Sequence, residues 1–200
     1  NTEVKAGSIA IDEAHFPDKV FREQIIAEFD KDGDSVLSVD EISKAQFLNL
    51  HDMKTISSLE GIQYLTNLQS LDVSTTSVSD LSPVKNSSLK RLDCRSSKVG
   101  SVDLTRYPNL EAFVCDNTSI NSLDVSKNEK LNTLFADSTS ISNLDVTNNP
   151  NLEQLSCSNT GLMELDVTHN PQLVTLDIGD TKVKTLDISK NPNLKQLSCY

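Results

Sequence analysis

A twelve-residue stretch, Asp30-Lys31-Asp32-Gly33-Asp34-Ser35-Val36-Leu37-Ser38-Val39-Asp40-Glu41, spaces its oxygens as a hard divalent cation requires. With Asp30 in the first position, Asp32 stands third, Asp34 fifth, Val36 seventh, Ser38 ninth and Glu41 twelfth. Ca²⁺ takes roughly six to eight oxygens in a flexible shell. Asp30, Asp32 and Asp34 can give one carboxylate oxygen each, Val36 its main-chain carbonyl, Ser38 a held water and Glu41 both carboxylate oxygens. Leu37 falls where the buried apolar residue of such a loop belongs. The sixth position calls for a positive φ, usually met by glycine, and holds Ser35, with Gly33 displaced to the fourth. An L-residue there costs on the order of 1–2 kcal/mol, so binding is expected to be weak.

The remaining reactive side chains read as structural. Cys94, Cys115, Cys157 and Cys199 occupy one inward column with Val73 and Ile178, and all four are expected to be buried free thiols. No Cys-x-x-Cys pair supports zinc. His15, His51 and His169 have no cysteine, serine or metal-spaced partner in the sequence, so no nucleophile–base pair emerges and no enzymatic activity is expected. Asp103, Asp124, Asp145, Asp166 and Asp187 form an acidic ladder, each followed two residues on by Ser or Thr. Aspartates in that setting hydrogen-bond local hydroxyls and amides.

The acidic loop needs flanking helices to hold it. Residues 18–29 follow Phe16-Pro17 and place Phe21, Ile25 and Phe29 on one stripe, and a short helix is expected over about 39–47. Helix, loop and helix together resemble an EF-hand, although no second loop is visible to pair with it. Residues 1–46 thus form a helical cap whose first task is to cover the apolar edge of the first coil of the repeats behind it.

From residue 47 to 200 the chain repeats. Leu68, Leu89, Leu110, Leu131, Leu152, Leu173 and Leu194 are spaced by 21 residues, and Leu71, Leu92, Phe113, Leu134, Leu155, Leu176 and Leu197 stand three later. Val73, Cys94, Cys115, Ala136, Cys157, Ile178 and Cys199 make a third column, and Val78, Val99, Ile120, Ile141, Leu162 and Val183 a fourth. The pattern LxxLxLxxNxL resembles the leucine-rich-repeat family, and with the cap it resembles internalin-like bacterial surface proteins. The resemblance implies an α/β solenoid with one short parallel strand per coil on a concave face, and adhesion or protein recognition outside the cell. One slot departs from the family: the usual Asn is Thr76, Ser97, Thr118, Thr139, Thr160 and Thr181, whose hydroxyls are expected to reach the neighbouring coil.

Each unit also has a strand-like second half, such as Leu144-Asp145-Val146, succeeded by Asn128, Asn149, Asn170 or Asn191. The first half is the better strand, because the second half of the earliest unit reads Leu81-Ser82-Pro83-Val84, and proline suits an internal strand poorly. Seven strands at ~4.8 Å give a concave sheet ~30 Å long.

The outward slots of those strands vary. Val114 and Phe135 are apolar residues on adjacent strands, surrounded by Arg91, Asp93, Arg95, Asp116 and Asp137. An exposed apolar centre with a charged rim is expected to be the partner-binding patch. With 29 Asp+Glu against 18 Lys+Arg, the net charge of −11 disfavours nucleic acid and anionic membranes. The first fifty residues hold 11 acids and 5 bases, so the cap is the more acidic part. Few aromatics disfavour a glycan partner, and no apolar run approaches the ~20 residues of a membrane span. Asn1 is preceded by neither a Met nor a leader, which suggests a trimmed chain. The last unit stops at Cys199-Tyr200 without a polar cap, so continuation of the chain or end-to-end packing of two copies is expected. These features describe a non-catalytic extracellular binding module, with a calcium-stiffened spacer of a longer surface protein as the alternative.

Overall fold

A computed structural model describes residues 6–200. The cap begins with strand β1 (Ile9–Ala10), helix α1 (Lys19–Phe29), strand β2 (Val36–Leu37) and helix α2 (Val39–Lys44). Asp18 caps α1 by accepting hydrogen bonds from the N–H groups of Val20 and Phe21, and Phe21, Ile25 and Phe29 form its buried stripe. The helix after the loop is shorter than expected. It ends at Lys44, which frees Phe47 to enter the sheet.

Eight strands come next, one more than the sequence columns suggested: β3 (Phe47–Asn49), β4 (Ser70–Asp72), β5 (Arg91–Asp93), β6 (Ala112–Val114), β7 (Thr133–Phe135), β8 (Gln154–Ser156), β9 (Thr175–Asp177) and β10 (Gln196–Ser198). They pair in parallel in chain order, each residue beside its equivalent in the next coil: Leu71 with Leu92, Leu92 with Phe113, Phe113 with Leu134. At ~4.8 Å per step the concave sheet is about 34 Å long. The strand does lie in the first half of each unit.

Two backbone devices turn every coil. Just past the strand, Thr75, Ser96, Asn117, Ser138, Asn159 and Asp180 take left-handed φ values of 52–57°. Each such corner costs roughly 1–2 kcal/mol, and its N–H is in turn given to the next coil, as from Thr75 to the Arg95 carbonyl at 2.9 Å. The hydroxyl slot behaves differently from expectation. Thr76, Ser97, Thr118, Thr139, Thr160 and Thr181 donate to the carbonyl three residues back in their own coil, at 2.6–2.7 Å. A hydroxyl on a short stem closes the local turn and does not span to the next coil.

The coils are stitched together in their second halves. Asn149 Nδ2 donates to the Val125 and Asn128 carbonyls of the preceding coil at 3.0 and 2.9 Å. Asn128, Asn170 and Asn191 do the same, and Asn86 donates to the Leu65 carbonyl. Tyr107 takes the missing place in that 21-residue ladder. Its ring is buried and its hydroxyl donates to the Val84 carbonyl at 2.9 Å.

One apolar core runs from the cap through the coils. Phe16 is its joint: the ring lies 5.9 Å from Tyr64 and 6.1 Å from Phe21, centroid to centroid. Gly61, at φ 107°, admits it, since a Cβ there would collide with the Phe16 ring. Asp18 fastens the same joint through its second oxygen, which accepts from the N–H groups of Ser57 and Ser58 at 2.9 and 3.2 Å.

Candidate functional site

The concave face carries the expected patch residues, rearranged. Asp93 on β5 is fully buried beneath two arginines: Arg91 Nη2 lies 3.2 Å from Oδ2 and Arg95 Nε 3.0 Å from Oδ1. The hydrogen bond to Asp93, ahead of simple charge attraction, raises the Arg95 pKa. Val114 on β6 is not exposed, contrary to expectation, but 1% accessible. Its register neighbours are Asp93 under its arginine clamp and Phe135. On a concave sheet side chains converge, so large neighbours close over a small one. Phe135 on β7 keeps partial exposure and is the apolar residue left open in the expected patch, while Phe47, in the outward slot of β3, is exposed at the N-terminal edge of the same sheet.

Asp116 and Asp137 lie side by side just past these strands, with the Asp137 N–H donating to Asp116 Oδ1 at 2.9 Å. Asp137 Oδ1 also accepts from the Ser156 hydroxyl at 2.6 Å and the Ser158 N–H at 2.8 Å. Burial raises the Asp116 pKa, with the Asp137 carboxylate adding to the shift. Arg95, Asp116, Phe135 and Asp137 line an open hollow of about 930 Å³ that continues to Asp177 and Lys195.

The N-terminal end of the same face holds a contact that the sequence did not disclose. His51 Nδ1 is 2.8 Å from Ser74 Oγ, and Ser74 in turn bonds to Asp72. His51 therefore has a serine partner, from the adjacent coil. The carboxylate sits on the serine, however, not on the imidazole, and Ser74 is 1% accessible. A nucleophile–base–orienter chain needs the opposite wiring and an open hydroxyl. The acidic ladder closes local turns as expected: Asp145 and Asp166 each accept from the N–H and hydroxyl of Thr147 and Thr168. Hydrogen bonds from those threonines lower both carboxyl pKa values.

In the cap, Asp30, Asp32 and Glu41 offer carboxylate oxygens within 4.8 Å of one another. Ser35 adopts φ 61°, the conformation its position demands. Val36 sits in β2, paired with Ala10, so β1 supplies the antiparallel partner that a second loop would otherwise give. Asp34 stands outside the trio and accepts from the Val36 N–H at 2.8 Å. Ser38 caps α2 and donates to Glu41 at 2.7 Å. Reduced hydration and the Asp34, Glu41 and Asp30 carboxylates raise the Asp32 pKa. Among the described residues no Lys or Arg forms a salt bridge with these acids. Three gathered carboxylates with no cationic side chain bridged to them form an all-oxygen set that fits a hard cation, although loop N–H groups already bond to Asp30 and Glu41.

Cys94, Cys115 and Cys157 are buried thiols, while Cys199, beside the last strand, is exposed. Leu197 and Tyr200 are exposed at the same end. No helix among the described residues is long and apolar enough to cross a membrane.

Stacked parallel strands, left-handed corners and an asparagine ladder behind a helical cap define a leucine-rich-repeat solenoid. Among solved structures it is similar to an internalin C2 from Listeria monocytogenes, with a TM-score of 0.85 and 22% identity over 97% of this chain and 88% of that one. An internalin (InlF) from the same species gives a TM-score of 0.65 at 19% identity, covering 98% and 72% of the two chains. A leucine-rich-repeat protein of Leptospira interrogans gives 0.71 at 18% identity, covering 81% and 44%. No protein-family model and no curated protein matches the sequence.

Proposed function

We propose that the protein is a non-catalytic recognition module, secreted or carried on a bacterial surface, that binds a protein in its concave hollow. The observation that carries this reading is Phe135, an aromatic left partly open in a hollow of about 930 Å³, on a sheet face otherwise lined mainly by polar side chains. Aromatic anchors with polar rims supply most of the energy of protein interfaces. The likeness to bacterial internalins supports the extracellular setting. A panel of extracellular proteins and glycans, presented to wild type and Phe135→Asp, tests it. A ligand lost with the substitution, folding intact, supports the reading, and a ligand indifferent to it refutes the assigned face.

The cap supports a second, compatible role as a calcium-stiffened spacer, on the convergence of Asp30, Asp32 and Glu41. Bound Ca²⁺ would add about 2.7 kcal/mol at a hundredfold excess over Kd. Asp32→Ala leaves the Ser38–Glu41 capping box in place and removes one oxygen donor. The expected result is a melting temperature raised by millimolar calcium in wild type and much less in the variant. An unchanged melting temperature in wild type refutes calcium binding.

A further inference from the structure

Resting on the concave-face reading, we infer that the hollow seats a basic side chain of the partner, an arginine or lysine held by Asp116 and Asp137 with its stem against Phe135. The two halves of the sheet face differ in how their charge is satisfied. Toward the N-terminus Asp93 is neutralised within the protein by Arg91 and Arg95, and Asp72 is bonded to Ser74. Toward the C-terminus, Asp116, Asp137 and Asp177 form no salt bridge among the described residues. The nearest guanidinium, that of Arg95, is already engaged by Asp93. Lys195 is the remaining cation of the hollow.

Asp116 and Asp137 are in register on adjacent coils, about 4.8 Å apart by strand spacing, a separation that one planar guanidinium or one ammonium can bridge. Their internal bonds occupy the Oδ1 atoms and leave the Oδ2 atoms for a visitor. Both are partly buried, where a charge pair is screened less than at the rim. The Phe135 ring two residues before Asp137 supplies an apolar wall and a π face for the same cation. A neutral or acidic segment would leave these carboxylates desolvated and unpaired, so the arrangement selects by charge as well as by shape.

The probe is the peptide (Arg-Ser)4, with its citrulline counterpart as the neutral isostere, titrated into ¹⁵N-labelled protein. The expected result is saturable shifts of the Asp116, Phe135 and Asp137 amides with the arginine peptide. Citrulline, or Asp116→Asn/Asp137→Asn, should weaken binding about tenfold or more. Asparagine keeps the Oδ1 acceptors, so the variant should fold, and Glu13→Gln/Glu129→Gln controls for the same loss of charge elsewhere. Equal binding of both peptides in the hollow overturns the cation seat while leaving the concave-face reading intact. Shifts scattered over other acidic surfaces, or equal losses in both double variants, also overturn it.

Discussion

Removing one rung of the asparagine ladder should loosen the solenoid more than removing a hydroxyl from the slot that sequence patterns emphasise. Asn149 is fully buried and makes two bonds to the preceding coil, at 3.0 and 2.9 Å. The Val125 and Asn128 carbonyls each keep a main-chain donor, so Asn149→Ala loses two net hydrogen bonds without orphaning either acceptor. At about 0.5–1.5 kcal/mol per bond, with a small cavity adding about 1 kcal/mol, the cost is about 2–4 kcal/mol. Thr139 makes one bond, to Ala136 in its own coil at 2.7 Å. Thr139→Val preserves the shape and should cost about 1 kcal/mol. Urea unfolding monitored by circular dichroism reads both midpoints against wild type at a common slope. Equal costs, or a larger cost for Thr139→Val, would refute the assignment of inter-coil cohesion to the asparagines.

Three further outcomes are expected. In native protein a thiol reagent should label Cys199 alone, because burial pushes Cys157 up to about 12 and raises Cys94 and Cys115 further; urea should expose all four to labelling. At Asp18, burial is outweighed by hydrogen bonds from the N–H groups of Ser57, Phe21, Ser58 and Val20, and the native pKa is lowered. Its contribution is therefore present above the unfolded value of about 3.9 and lost as pH falls through the native one. Asp18→Asn should lower stability at neutrality and flatten the acid limb of the stability–pH curve, with the two proteins converging below pH about 4. Asp93→Ala frees Arg91 and Arg95 and uncovers Val114; thermal unfolding should show a loss of about 1–3 kcal/mol.

The architecture was legible because stacking forces every coil to repeat the same inward residues at the same interval. The strands at Leu71 through Leu197 and the positive φ of Ser35 stem from side-chain period and turn chemistry alone. Strand β3 was not legible, since 23 residues separate Phe47 from Ser70 and break the register. Nor was Tyr107's place in the asparagine ladder, where a hydroxyl on a long ring substitutes for an amide. The 21-residue offset from Asn86 to Tyr107 to Asn128 was the available signal. Val114 was misplaced because alternation tells which face a residue is on, not how its neighbours close over it. His51 and Ser74 belong to different coils, so only the stacking brings them within 2.8 Å.

The most direct test of concave-face recognition sets wild type, Phe135→Asp and Met163→Asp side by side on the same panel of extracellular proteins. Met163 is an exposed apolar residue outside the strands, 63% accessible, and serves as the control for a new surface carboxylate. Loss of a protein ligand in Phe135→Asp alone, by tenfold or more in Kd, is the predicted result. A ligand retained by Phe135→Asp and lost by Met163→Asp would contradict it.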